Sequence, residues 1–245
     1  MQNGIMKIIQ QQDSNSKWDA TLNVTALFEF VFIQISSFIR GFRVVFYFRK
    51  PNGMMLGKEV SFFNMSKIKW GKCLRLGNQV SISALGKNGI HFGDNVSIGA
   101  FSRVVVSTSL NNVGNKIVIG NNVGIGEFAY LDGTGDIEIG DECTVGHHLS
   151  CNPENTNYGN LETQINHQSV SRKGITIGKN CSIGSKVTIL DGVNIGYGSS
   201  VAEGSLVTKS FSENSVIGGV PAKLLKKRKN DLQKYFSNLL SCKPI

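Results

Sequence analysis

Aliphatic residues recur every six positions in the second half of the chain, at Ile177, Ile183, Ile189, Ile195, Val201 and Val207. Gly178, Gly184 and Gly196 each follow one of them, and an earlier stretch keeps the beat with Ile119-Gly120, Ile125-Gly126 and Leu131-Asp132. A step of six is even, and side chains alternate along a strand with period two, so all of these anchors point to one face. A small residue directly after the anchor suits a sharp backbone bend. Repeats this short predict strands coiled into a β-helix rather than packed layers.

The pattern divides the chain into three parts. Residues 61–220 read as β-helix. Its early turns, at Leu76-Gly77, Ile82, Phe92-Gly93 and Ile98-Gly99, carry slips, and Ser107 to Asn115 reads as a short loop. Ile137 and Ile139 correct the register before Ile139-Gly140 and Val145-Gly146. After an anchor at Cys151 the beat stops until Ile175 and Ile177, so residues 152–174 form a polar loop protruding from the coil. Loops held by a rigid scaffold are where function concentrates, and His147, His148 and His167 sit near the ends of this one.

Residues 221–245 follow the run Gly218-Gly219-Val220-Pro221-Ala222-Lys223. They are expected to form an amphipathic helix over about Lys223 to Leu240, entered at Pro221. Its stripe of Leu224, Leu225, Leu232 and Phe236 would cap the open end of the solenoid. Residues 1–60 form an apolar and basic extension expected to be helical. Leu27 to Phe48 is rich in phenylalanine, yet Glu29, Gln34, Arg40 and Arg43 interrupt it. Two arginines inside a membrane span are costly, so the segment is expected to lie along a membrane surface rather than cross it, with Arg40, Arg43, Arg49 and Lys50 facing anionic headgroups. Packing on the base of the β-helix or in a subunit contact is the equal alternative.

A chain of 245 residues buries a sizeable core, and 28 glycines against 4 prolines suit many short strands joined by tight turns. The five cysteines are odd in number with no metal-like spacing. Cys143 and Cys181 precede anchors by two and are expected to fill the coil, which fits a reducing cytoplasm. The first twenty residues are polar, so no cleavable signal peptide is expected. The net charge of +9 gathers near the two ends. Such clusters fit nucleic acid, anionic lipid or a phosphate-bearing cofactor. No aromatic residues interleave the C-terminal lysines as a base-stacking platform requires, so nucleic acid is not an expected partner.

Several runs together resemble a family: Ile177-Gly178-Lys179-Asn180-Cys181-Ser182-Ile183-Gly184, Val187-Thr188-Ile189-Leu190-Asp191-Gly192-Val193, Ser205-Leu206-Val207-Thr208-Lys209, and Gly218-Gly219-Val220-Pro221-Ala222-Lys223. Over about residues 75–228 the chain is similar to the hexapeptide-repeat acyltransferases, above all to the sugar O-acetyltransferases of surface-polysaccharide synthesis. The resemblance implies an all-β chain wound as a left-handed parallel β-helix with three hexads per coil, assembled as a homotrimer. It also implies acetyl-CoA as donor and a sugar or glycan hydroxyl as acceptor. The protein would then work in the cytoplasm, with the N-terminal segment offering a peripheral contact with the inner membrane surface.

In the family the loop begins with a short Ser-x-Asn-His stretch whose histidine takes the proton of the acceptor hydroxyl. Here the corresponding stretch is Ser150-Cys151-Asn152-Pro153-Glu154, with proline in the histidine's place. Attack of an alcohol on a thioester needs a base, typically contributing about 10² to 10⁴ in rate. The candidates are His148 or His147 from the preceding turn, His167 from the loop's far end or a neighbouring subunit, and Glu154 if burial raised its pKa. The alternative is a catalytically impaired β-helix trimer that binds or scaffolds. For the donor, the resemblance implies backbone contacts from Gly184, Ser185, Ala202 and Glu203, and phosphate contacts from Lys209, Lys223, Lys226 or Arg228. Ser182 and Ser210 stand where the family often carries Trp and Asp.

Overall fold

The computed structural model describes residues 24–107, 109–111 and 113–228. The helix Val24–Gly41 leads into a 3-10 turn, Phe42–Tyr47, and a boundary between two compact units falls within the helix, after Ser36. Thr25–Tyr47 is long and apolar enough to cross a membrane by length and composition. From Met55 onward the chain is a parallel β-helix whose strands form three stacked sheets of nine, seven and six strands. One coil reads Ser182–Ile183 in the first sheet, Thr188–Leu190 in the second and Asn194–Ile195 in the third. The anchors Ile183, Ile189 and Ile195 all point inward and are buried, as the six-residue beat predicts.

Register shows where the slips arise. Passing from the first sheet to the second takes six residues in every coil, as in Met55 to Ser61, Gly124 to Tyr130, Thr144 to Ser150 and Ser182 to Thr188. Passing from the third sheet to the next first-sheet strand also takes six, as in Lys69 to Arg75, Glu138 to Thr144 and Asn194 to Ser200. All the variation falls on the edge between second and third sheets. The step there is six residues from Thr188 to Asn194, eight from Tyr130 to Glu138 and twenty-six from Ser150 to Thr176.

The two regular edges turn through left-handed residues. Asn95, Asn122, Glu142 and Asn180 hold φ of +54 to +59 on one of them, a region that asparagine tolerates better than most side chains. They also bond from coil to coil, Asn95 Nδ2 donating to Asn122 Oδ1 at 2.9 Å and Asn122 Nδ2 to Glu142 Oε1 at 2.6 Å. Cys143, Cys151 and Cys181 lie in the buried core, and burial pushes the Cys151 thiol up to about 12.

The first end of the solenoid follows the packed alternative for the N-terminal arginines, and the last end corrects the expected helix. The first coil exposes carbonyls that have no preceding coil to pair with, and such an edge must be satisfied. Arg40 Nε donates to the Leu56 carbonyl at 2.8 Å, Arg43 to that of Val60 at 2.5 Å, and Arg49 to that of Ile68 at 2.7 Å. Arg49 also lies 4.9 Å from the Trp70 ring centroid. Three of the cations expected to meet headgroups therefore cap the first coil. At the other end, residues 222–227 are a strand rather than the start of a helix. Gly219, at φ +103, lets the chain reverse over Val220-Pro221, and Ala222–Lys227 pairs antiparallel with Ser215–Gly219. The backbone of the last coil is thereby hydrogen-bonded, a stronger demand than the helical stripe. The remainder of the expected helix lies outside the described residues.

Candidate active site

The edge between first and second sheets builds the site. The third residue after each first-sheet anchor adopts φ near +60, giving a column of Phe101, Phe128, His148 and Lys186. Coils stack at strand spacing, so rings on this column lie face over face. Phe101 and Phe128 are 5.0 Å apart at 8°, and Phe128 and the His148 imidazole 4.8 Å apart at 5°. A second column runs beside it. The Glu127 N–H donates to His147 Nδ1 at 3.1 Å, and the His147 N–H to Ser185 Oγ at 3.2 Å. This bond occupies Nδ1 of His147 as an acceptor. The His148 ring makes no hydrogen bond among the described residues, which leaves it able to accept a proton.

The expected donor contacts continue along this edge. Gly146 packs on Ser185 and Gly184 on Glu203, so closely that a Cβ at either glycine would stand 2.6 Å from the backbone nitrogen above it. The Ser185 and Glu203 N–H groups have no partner among the described residues, whereas the equivalent amides of Glu127 and His147 are capped. Ala202 is exposed, and its N–H pairs with the Ile217 carbonyl at 2.8 Å. Lys223, opposite Gly218, reaches the same edge, and Lys226, opposite Val216, lies farther along that last strand.

Two expected phosphate contacts lie elsewhere. Arg228 is on the third-to-first edge, donating to the Gly198 carbonyl at 2.5 Å. Lys209 is on the second-to-third edge, its Nζ 5.9 Å from the Phe211 ring centroid.

The loop leaves from the second-to-third edge. Its short hairpin pairs Asn155–Thr156 with Val170–Ser171, and His167 is exposed at the end of a 3-10 turn, Ile165–His167. Arg172 holds the Glu154 carboxylate with Nε at 2.7 Å and a second nitrogen at 2.5 Å. The carboxylate is thereby engaged by the guanidinium rather than open to an acceptor hydroxyl. Pro153 is buried against Gly135, so the position where the family resemblance expects histidine does not face solvent. The strand Ser150–Asn152, about 10 Å long at strand rise, separates His148 from the loop's exit.

No family model matches the chain. It is 27% identical to WbbJ of Escherichia coli (strain K12), named as a lipopolysaccharide biosynthesis O-acetyl transferase, over 67% of this chain and 74% of that one. The chain resembles the hexapeptide-repeat acyltransferases. The bifunctional protein GlmU of Clostridium beijerinckii is 30% identical over 62% of this chain, which spans only 34% of GlmU. Among solved structures, AntD, an N-acyltransferase from Bacillus cereus in complex with dTDP and 3-hydroxybutyryl-CoA, is 19% identical with a TM-score of 0.46, over 76% of this chain and 86% of that one.

Within this acyltransferase, the sequence reading had missed Phe101 and Phe128, which position His148, and Arg103, Tyr130 and Ser150 on the adjoining outer face of the second sheet. The signal was present. Counting three and five residues past the anchors Ile98, Ile125 and Val145 gives all six positions. Burial foremost, then the Asp132 carboxylate, raises the Tyr130 phenol above its ordinary value, so it stands there as a protonated donor.

Proposed function

We propose that the protein transfers the acetyl group of acetyl-CoA to a sugar hydroxyl of a surface polysaccharide or its lipid-linked precursor. What carries this reading is one edge on which the His148 imidazole, free of hydrogen bonds among the described residues, stands one coil before the unpaired Ser185 amide and two before that of Glu203. Such amides fit the amide carbonyls of pantetheine, and Lys223 at the end of the same edge supplies a point charge for phosphate. The acceptor oxygen attacks the thioester carbonyl while His148 takes its proton. The tetrahedral oxyanion then collapses, the thiolate of CoA leaves, and His148 returns the proton to it. His147 Nδ1 already accepts the Glu127 N–H, which favours His148 over His147 as the base.

His148 and His167 occupy different edges of one chain. A homotrimer in which the loop of one copy faces the histidine edge of the next joins them, and this geometry supports the trimer. The exposed rings of Phe46 and Phe48 support peripheral membrane contact through apolar insertion, without the three arginines that cap the first coil. Acetyl transfer from acetyl-CoA to a panel of bacterial surface sugars tests the activity. Turnover retained in full by His148→Ala overturns the assignment of the base.

A further inference from the structure

The outer face of the second sheet holds a groove of about 340 Å³ that the donor site does not use. Ser81, Ser83, Arg103 and Val105 line it, with Phe63 and Leu110 as exposed apolar walls. Two hydroxyls between apolar walls suit a sugar, which is polar at its rim and apolar on its faces. Arg103 forms no hydrogen bond or ion pair among the described residues. Its strand partners are Ser81 on one side and Tyr130 on the other. Asp132, the acid on the next strand of this face, accepts the Thr134 N–H through Oδ1 at 2.9 Å and does not pair with Arg103. The groove therefore presents a free guanidinium.

Arg103 follows Phe101 by two residues, and Phe101 stands two coils before His148. At strand spacing this separation is about 10 Å along the stack. A short saccharide, or one sugar with a pendant group, spans it. Along the way it crosses the exposed Phe101 and Phe128 rings and the Tyr130 hydroxyl.

Resting on the acetyl-transfer reading, we infer that the acceptor is an anionic saccharide whose carboxylate or phosphate is bound by Arg103 while its reacting hydroxyl lies at His148. The guanidinium fork matches either anion in a bidentate way, and hydrogen bonds to charged groups are the strong ones.

The test uses the full chain with acetyl-CoA and three matched acceptor sets: neutral oligosaccharides, their carboxylated counterparts and sugar phosphates. Carboxylated or phosphorylated acceptors are expected to be preferred, and the preferred set identifies the source of the anion. Arg103→Gln is expected to raise KM for them by about 10- to 100-fold, the size of a charge-assisted hydrogen bond, with KM for acetyl-CoA and the melting temperature unchanged. Arg103→Lys, which keeps the charge and loses the fork, should fall between. Equal use of neutral and anionic acceptors, or an Arg103→Gln protein that handles the anionic sets as wild type does, overturns the inference.

Titration of the same saccharides without acetyl-CoA separates the two claims. Arg103-dependent binding with no turnover sustains the anionic site and sinks acetyl transfer. Turnover of neutral sugars without Arg103 dependence does the reverse, and no binding of any anionic set overturns the site.

Discussion

The first-to-second edge and the second-to-third edge belong to the same coils and obey different rules. On the first, every step is six residues, backbone stacks on backbone, and side chains three past the anchors fall into one column. On the second, steps run from four to twenty-six residues, and the loop with His167, Pro153 and Glu154 departs there. A periodic edge aligns groups from different coils at fixed spacing, and catalysis by positioned groups needs that. A variable edge adapts shape without disturbing the stack. His148, Ser185 and Glu203 stand on the periodic edge, and the chain changes its length only on the other.

The sharpest way to break this contrast is insertion. Two glycines placed after Gly126, where the next coil's backbone packs against the turn, should slip every later anchor out of the core. Loss of the cooperative unfolding transition is the expected result. The same pair placed after Gly159, around which an added Cβ meets nothing within 4 Å, lengthens a loop already long. By loop-closure entropy the cost there is below about 0.6 kcal/mol. Equal damage at both places would end the distinction. Single substitutions repeat it on a smaller scale. Gly146→Ala should destabilise by about 1–3 kcal/mol, because Ser185 backbone blocks the new methyl, and Gly159→Ala should be neutral in denaturant unfolding.

The next largest effect is on the rate. His148→Ala is expected to lower kcat by about 10² to 10⁴, the usual contribution of a general base. Phe128→Leu, which removes the ring stacked on the imidazole, should lower kcat less. Pro153→His should restore nothing to His148→Ala, since position 153 is buried. Rescue by that substitution would move the base to the variable edge.

The periodic edge was legible in the residues, and the variable edge was not. Anchors at Ile177, Ile183 and Ile189 defined coil, strand and core because period-two alternation leaves one inward face. The slips near Leu76 and Phe92 obscured which coils stack on which, since each insertion at the second-to-third edge resets the count. His147 and His148 were therefore equal candidates until register showed one accepting a hydrogen bond and the other stacked on a phenylalanine. The ends were less legible for a different reason. Arg40, Arg43 and Arg49 read equally as facing a membrane or packing on the base of the coil, because the need of a first coil for donors to its carbonyls is a tertiary demand that no local pattern shows. Lys223 and Leu224 read as helical, while the open edge of the last coil recruited them as a strand.

The N-terminal cap gives a smaller and separable effect. Arg49→Ala removes a donor to the Ile68 carbonyl and a cation from the Trp70 ring. By the worth of charge-assisted hydrogen bonds it should lower stability by about 1–3 kcal/mol, read in urea unfolding. Acetyl transfer at low temperature should stay unchanged, because the cap lies coils away from His148. Arg49→Lys, which keeps a donor without the fork, should recover part of the loss.

The smallest effect concerns charge on the third-to-first edge. Asp141 is held below its ordinary value, first by the Lys179 ammonium at 2.7 Å and then by the Asn121 backbone N–H. A carboxyl depressed in the folded state stabilises above its unfolded pKa of about 3.9 and loses that contribution as pH falls through the lower folded value. Unfolding measured at pH 7 and again below pH 3.5 should therefore differ less in Lys179→Ala than in wild type, with the gap between the two proteins present at pH 7 and closing in acid. Lys179 is exposed, so salt should shrink the difference. A loss of stability in acid that is as large in Lys179→Ala as in wild type would mean that the Asn121 amide, a fixed feature of the third-to-first edge, outweighs the lysine in holding Asp141 ionised.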